Sequence, residues 1–421
     1  MSVRRHAASF GALVLGDAAA KVLGLFAFAT LGRRLGADQG GAYGALEAAL
    51  AAVFIASLCV EGGLAPFGAR LVAADPASAP RLLARIASLR LVYATLAAAG
   101  LGVYVLVAAP PPNVAALVGW YALTLPPYAL YLEWLFQGRG ETWWATPPQI
   151  GRNLALWLVA AFVVEGPADA HWAPLADAAG FLAGALVQQA VARRTVGGPD
   201  FTPPLDLGAL SRASFPTLLS GLAFVFRLNY PMVLAGDRAD PVVADAYGAA
   251  HRLFLSVHAA VPLFCISLLP TWARAHAARD RRGFLRSTGG AVLLFLVAAG
   301  VAVAFAASSA PGAVLDVVYA GRFAGGADAL AVLTLALGLL GLSAVPRFAF
   351  IAVGRPRRDF FANACGAAVT ALVAVADPPW AGASPASFAR LVLAGEGAAF
   401  VAAWLSSGPL WRRAAAPVAH E

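Results

Sequence analysis

The chain is short of charge. Of its 421 residues, 52 are Asp, Glu, Lys or Arg, or 12%, against the roughly 25% usual in a soluble globular protein. A soluble chain of this length needs charged and polar side chains over its surface, and here there are too few. Cysteine is scarce as well. Cys59, Cys265 and Cys365 lie in apolar stretches, read as small packing residues, and have no spacing suited to a disulfide or a metal. HExxH, P-loop, CxxC and GxSxG patterns are missing, the few histidines are scattered, and no carboxylate cluster faces a loop. These absences exclude a cytosolic enzyme, a nucleic-acid binder and a secreted disulfide module, and they give no reason to expect a metal or cofactor.

What the chain has in quantity is apolar: 60% of its residues are hydrophobic. Twelve stretches can cross the roughly 30 Å of a bilayer's hydrocarbon: 10–31, 42–64, 86–109, 114–137, 150–165, 174–192, 209–235, 246–269, 289–310, 329–353, 360–377 and 386–406. The expected class is an all-α polytopic membrane protein with twelve transmembrane helices. A cleaved signal peptide is not expected, because Arg4 and Arg5 lead directly into a span carrying Asp17 and Lys21. The loops expected outside, such as PPPN at 110–113, are short and rich in Pro, Gly, Ala and Trp.

The remaining charge carries orientation. With a cytoplasmic N-terminus, 21 of the 30 basic residues fall in inner segments; only Arg33, Arg34, Arg238, Arg322 and Arg390 fall outside. That bias predicts both termini in the cytoplasm. The formal +8 then reads as topology rather than as a nucleic-acid footprint.

The two halves echo each other at a constant offset of 204. Ala42, Tyr43 and Gly44 match Ala246, Tyr247 and Gly248; Pro66 matches Pro270; Ala69 and Arg70 match Ala273 and Arg274. A six-span unit enters the membrane in the same sense twice, so the halves are parallel repeats, as in transporters that rock two bundles about a central site. The expected organisation is an N-terminal six-helix lobe over 1–195, a cytoplasmic linker over 196–208 and a C-terminal six-helix lobe over 209–421.

Charges inside spans should face a bundle interior or a wet cavity. Lys21, Arg227 and Arg347 are the deeper cations, against the acids Asp17 and Glu61. Such a basic excess suits an anionic head such as a pyrophosphate, which arginine clamps bidentately. Lys21 and Arg227 are expected to face one another across one cleft, with Arg347 assisting. The plainer alternatives are an intrahelical Asp17–Lys21 pair, four apart on one face, and snorkelling for Arg347. Asp17, Glu61, Glu47, Arg252 and His258 are gating or ion-coupling candidates, although polar packing suffices for His258 and an interfacial position for Glu47 and Arg252. Pro66, Pro216, Pro231, Pro262 and Pro270 offer bend points.

ATLGRRLGADQGGAYGALEAALA (29–51), RLNYPMVLAGDRADPVVADAYGAAHRLF (227–254) and LLPTWAR (268–274) resemble the half-signatures of Wzx-type polysaccharide-export flippases, in the multidrug/oligosaccharidyl-lipid/polysaccharide (MOP) exporter superfamily. The resemblance implies a V-shaped pair of six-helix lobes of the MATE type. It also implies transport of undecaprenyl-diphosphate-linked oligosaccharide across the bacterial inner membrane, by alternating access driven by a proton or sodium gradient. A polysaccharide polymerase and a chain-length regulator are implied partners, and a monomer the expected working form. The family usually has Asp where this chain has Asn229, which puts acid-based coupling there in doubt. A MATE-like multidrug or cation antiporter is the alternative within the fold; a non-transporting scaffold of a polysaccharide synthesis complex is a third.

Overall fold

In a computed structural model the chain is helical throughout. The structure describes residues 3–36, 40–201, 206–382 and 384–413, and among these there is no strand. Long apolar runs satisfy their backbone N–H and C=O groups in lipid only by pairing them within the segment, which makes them helices. In chain order these are α1 (Val3–Leu35), α2 (Ala42–Glu61), α3 (Leu64–Ala74), α4 (Ala79–Ala108), α5 (Pro112–Ala122), α6 (Leu125–Ala129), α7 (Glu133–Arg139), α8 (Thr146–Phe162) and α9 (Trp172–Thr195). They continue with α10 (Leu207–Arg238), α11 (Pro241–His258), α12 (Ala260–Ala277), α13 (Arg281–Ala306), α14 (Ala310–Tyr319), α15 (Ala327–Ala352), α16 (Pro356–Ala376) and α17 (Pro385–Arg413). Among the described residues, ten helical stretches are long and apolar enough to cross a membrane. The other two apolar segments read from the sequence lie in α1 and in the 17-residue α8.

Two segments read as single spans are broken and a third ends at a break, each for a local reason. α2 gives way to α3 at Gly62 and Gly63, whose φ angles of 62° and 66° are left-handed values that glycine adopts at little cost. The fourth segment is divided among α5, α6 and α7. There Pro126 and Pro127 lack N–H donors, and their rings crowd the carbonyls one turn back, where α5 ends. α11 stops at His258, one turn before Pro262. By contrast α10 runs unbroken through Pro216 and Pro231, and α15 through Pro346. The carbonyl of Leu342, deprived of its helical donor by Pro346, accepts a hydrogen bond from Trp404 Nε1 at 3.2 Å. Trp404→Phe is therefore expected to lower stability by about 0.5–1.5 kcal/mol, the net worth of one part-buried hydrogen bond. Denaturation of the detergent-solubilised protein measures this, and an unchanged midpoint contradicts it.

Contacts divide the chain into two compact units, one of residues 1–222 with 236–245 and one of 223–235 with 246–421. In the first, α8 packs on α1 and α9, and α2 on α4 and α5, with Leu64, Ile86, Trp134 and Phe136 in its core. In the second, α17 packs on α15 and α16, and Trp272, Phe284, Phe295 and Phe350 form a core cluster. The repeat-related Tyr43 and Tyr247 are both fully buried. Gly44 has its own reason to be glycine: its N–H donates to Asp245 Oδ1 at 2.5 Å, and a Cβ there would run into the backbone of Ala244.

Candidate functional site

The second unit buries a chain of alternating charges. Arg227 on α10 is wholly inaccessible. Its Nε donates to Glu396 Oε1 at 2.6 Å, its Nη2 to Oε2 of the same carboxylate at 3.3 Å, and its Nη1 to Asn363 Oδ1 at 2.6 Å. Glu396 stands midway along the apolar stretch Pro385–Gly408 of α17. One turn before Asn363 on α16, Asp359 Oδ1 accepts from Asn363 Nδ2 at 3.3 Å and from Arg347 Nε of α15 at 2.8 Å. The Arg227 and Arg347 guanidiniums lie 4.7 and 5.0 Å from the Phe224 ring, on which His258 also stacks at 5.4 Å. Two arginines and two carboxylates leave the cluster formally neutral, and pairing with hydrogen bonding is what makes buried charge tolerable. Close approach of the helices comes from glycine: a Cβ on Gly366 would lie 2.7 Å from the Gly395 carbonyl and 3.0 Å from Arg227 Cδ.

Three sequence candidates, Arg227, Arg347 and His258, thus meet around one ring. Glu396, Asp359 and Asn363 escaped sequence reasoning. Glu396 is a lone acid in an apolar run, a signal as plain as Arg227's; Asp359 fell one residue outside the segment drawn from 360. Adding these two acids turns a count of three deep cations to two acids into three to four, so the basic excess does not hold. Asn229 is buried, and its Nδ2 donates to the Val225 carbonyl within its own helix at 3.1 Å.

The remaining candidates are distributed. Lys21 is half-buried on α1 in the first unit, beside Ala20, whose carbonyl accepts from Asn153 Nδ2 at 2.8 Å. Asp17 is on the same helix, but its side chain lies outside the described residues. Glu47 is buried on α2, and Arg252 is half-buried on α11 in the second unit.

Glu61, at the end of α2, opens a second polar centre inside the first unit. It lines a cavity of about 270 Å³ with Ala65, Pro66, Arg90, Tyr128, Tyr131, Glu133, Trp134 and Gln137. The cavity adjoins the break between α6 and α7, where side chains replace the missing helical partners. Arg90 Nη1 donates to the Tyr131 carbonyl at 2.8 Å, Gln188 Oε1 accepts from Leu132 N at 2.7 Å, and Gln189 Nε2 donates to the Leu130 carbonyl at 3.1 Å. Glu133 Oε1 accepts from Gln149 Nε2 at 2.6 Å. Next to this centre Arg152 pairs with Asp177 at 2.6 Å over the Phe181 ring. Arg90 and Arg152, counted from the sequence as inner-surface charges, fold inward to these partners instead.

The sequence profile of the polysaccharide biosynthesis protein family matches residues 7–276. The chain belongs to this family. Its fold is that of the MOP superfamily. An inward-facing multidrug resistance MATE family transporter of that superfamily superimposes with a TM-score of 0.71 at 13% identity, over 94% of this chain and 95% of that one. The lipid II flippase MurJ, in an inward closed conformation, gives 0.69 at 13% identity over 94% and 87%. A variant of the Vibrio cholerae MATE transporter VcmN gives 0.61 at 17% over 97% and 98%. No curated protein matches the sequence significantly. A member of this polysaccharide biosynthesis family with ten described helical stretches long and apolar enough to cross a bilayer, on the fold of these membrane proteins, is a multi-pass membrane protein.

Proposed function

We propose that the protein is a flippase of the bacterial inner membrane. It carries polyprenyl-diphosphate-linked oligosaccharide, the undecaprenyl form being the expected carrier, from the inner to the outer leaflet for O-antigen, capsule or exopolysaccharide export. The observation that carries this reading is the polysaccharide-biosynthesis profile over 7–276 on a MOP fold. The six-helix lobes 1–195 and 209–421, joined by 196–208, alternate access to the two leaflets, driven by a proton or sodium gradient. Polymerase and chain-length regulator act downstream, and the monomer is the working unit.

Lys21 contacts the diphosphate as a partly accessible cation on a membrane helix. Arg227 and Arg347 reach it only by exchanging their carboxylates, Glu396 and Asp359, for phosphate oxygens. A carboxylate released in that exchange has lost its counter-charge and takes up the coupling cation, so substrate entry and ion binding are linked. Farnesyl diphosphate is the probe: it is expected to bind the purified protein, and Lys21→Ala to weaken that binding by about tenfold or more, the loss of one charge-assisted contact. Lys21→Arg should retain it. Equal affinity in Lys21→Ala sinks the role of Lys21; no binding by the wild type sinks the reading.

The buried carboxylates Glu396 and Asp359 favour one second reading, a MATE-like cation antiporter, in which those acids take the transported cation directly.

A further inference from the structure

The cavity of the first unit does not suit a diphosphate. Two carboxylates, Glu61 and Glu133, and one guanidinium, Arg90, line it, so its formal charge is negative and a phosphate entering it meets repulsion. Its volume of about 270 Å³ falls just below the range usual for ligand pockets, about 300–1,000 Å³. That is room for one ring rather than a chain. The walls combine aromatic faces, Tyr128 and Trp134, with polar groups rich in acceptors, Glu61, Glu133 and Gln137. A pyranose has the matching chemistry. Its hydroxyls donate to carboxylate and amide oxygens, and its C–H face, slightly positive, rests on the negative face of an aromatic ring.

Two further observations point to a ligand. Two lining side chains each keep a buried polar atom without a partner: Arg90 Nε and Trp134 Nε1. Buried polar atoms are nearly always paired, so orphans gathered around one cavity mark where hydrogen bonds are still to be made. The cavity also adjoins the unwound residues between α6 and α7. Broken helices inside a membrane protein cost backbone hydrogen bonds, and they occur where the backbone lines a cavity or is buried in protein.

We propose that this cavity is a sugar subsite, holding one neutral or amino-bearing hexose of the transported glycan and rejecting uronic acids. Arg90 and Glu133 orient the ring through its hydroxyls, Glu61 accepts from the opposite edge, and Tyr128 supplies the stacking face. The subsite rests on the lipid-diphosphate reading above, because it gives that substrate its sugar preference.

The test compares three probes on the full chain in nanodiscs: farnesyl diphosphate, farnesyl-diphosphate-N-acetylglucosamine and farnesyl-diphosphate-glucuronic acid. The neutral sugar is expected to tighten binding about tenfold over farnesyl diphosphate, the worth of one or two net hydrogen bonds, and the uronate not at all. In Glu61→Gln and in Tyr128→Leu the ratio of the first two affinities should fall to about twofold or less. Each ratio is taken within one variant, so a general loss of binding does not mimic it. A photoreactive N-acetylglucosamine on farnesyl diphosphate should label peptides of α2–α3, α4 or α6–α7 in the wild type, which needs no variant to fold. Equal wild-type affinities with and without sugar overturn the subsite while leaving the lipid reading intact. So does a sugar increment that survives both substitutions, or labelling confined to other helices. Saturable binding of radioactive sodium that Glu61→Gln abolishes, with no sugar increment, makes the cavity a cation site instead. Failure of the wild type to bind farnesyl diphosphate overturns both readings at once.

Discussion

Glu396→Ala is expected to destabilise the second unit by about 3–5 kcal/mol, the cost of leaving one partner of a buried ion pair uncompensated. Arg227 has no exposure to solvent, and Glu396 takes two of its three nitrogens at 2.6 and 3.3 Å. Asn363, which takes the third at 2.6 Å, is neutral and leaves the charge standing. Removing both charges behaves differently: Arg227→Met with Glu396→Leu should recover most of the stability, since well-packed apolar replacements of a buried pair are often neutral or better. Equilibrium denaturation of the single and double variants in detergent gives the coupling between the sites directly. Additive losses contradict a paired network. Because the exchange of Arg227 from Glu396 to phosphate is part of the proposed transport cycle, the stable double variant should still fail to transport.

Gly366→Val is expected to be nearly as damaging, at about 1–3 kcal/mol or more for forcing extra methyl groups into a packed seam. Any Cβ at this position meets the Gly395 carbonyl at 2.7 Å and Arg227 Cδ at 3.0 Å. The first of these is backbone and gives only if α16 and α17 separate; the second shifts the guanidinium away from its carboxylate. Gly366→Ala adds the same Cβ without the branch and should fall between Val and the wild type. Thermal unfolding resolves the series, and a Val variant as stable as the wild type shows that the seam is looser than its geometry.

The apolar stretches were legible in the sequence because membrane crossing demands a long run of them, and the charge bias because loops carry it openly. Arg227 and Arg347 were legible as charges within such runs. What those arginines touch was not: their partners are set by which face of α16 and α17 turns toward them, and Glu396 is 169 residues from Arg227 in the chain. Asp359 seemed part of a loop because the end of an apolar run is not the end of a helix, and α16 begins at Pro356. Arg90 and Arg152 show the reverse error. A basic residue near the end of an apolar run reads as a surface marker, yet a neighbouring acid or a freed carbonyl draws it inward, and only the packed bundle places Tyr131 and Asp177 within reach. The break between α5 and α6 was written in Pro126 and Pro127; the one between α6 and α7 was not, and the glutamines that repair it lie on α9, 56 and 59 residues away.

Translocation itself is the most direct measurement. The purified protein is reconstituted in proteoliposomes, and a labelled polyprenyl-diphosphate-linked oligosaccharide is followed from one leaflet to the other under an imposed proton or sodium gradient, with a cationic dye as the competing cargo. The prediction is gradient-dependent flipping of the lipid-linked sugar by the wild type, loss of it in Arg227→Ala and in Lys21→Ala, and no transport of the dye. Transport of the dye with no movement of the lipid-linked sugar contradicts it and makes the protein a cation exporter on the same fold.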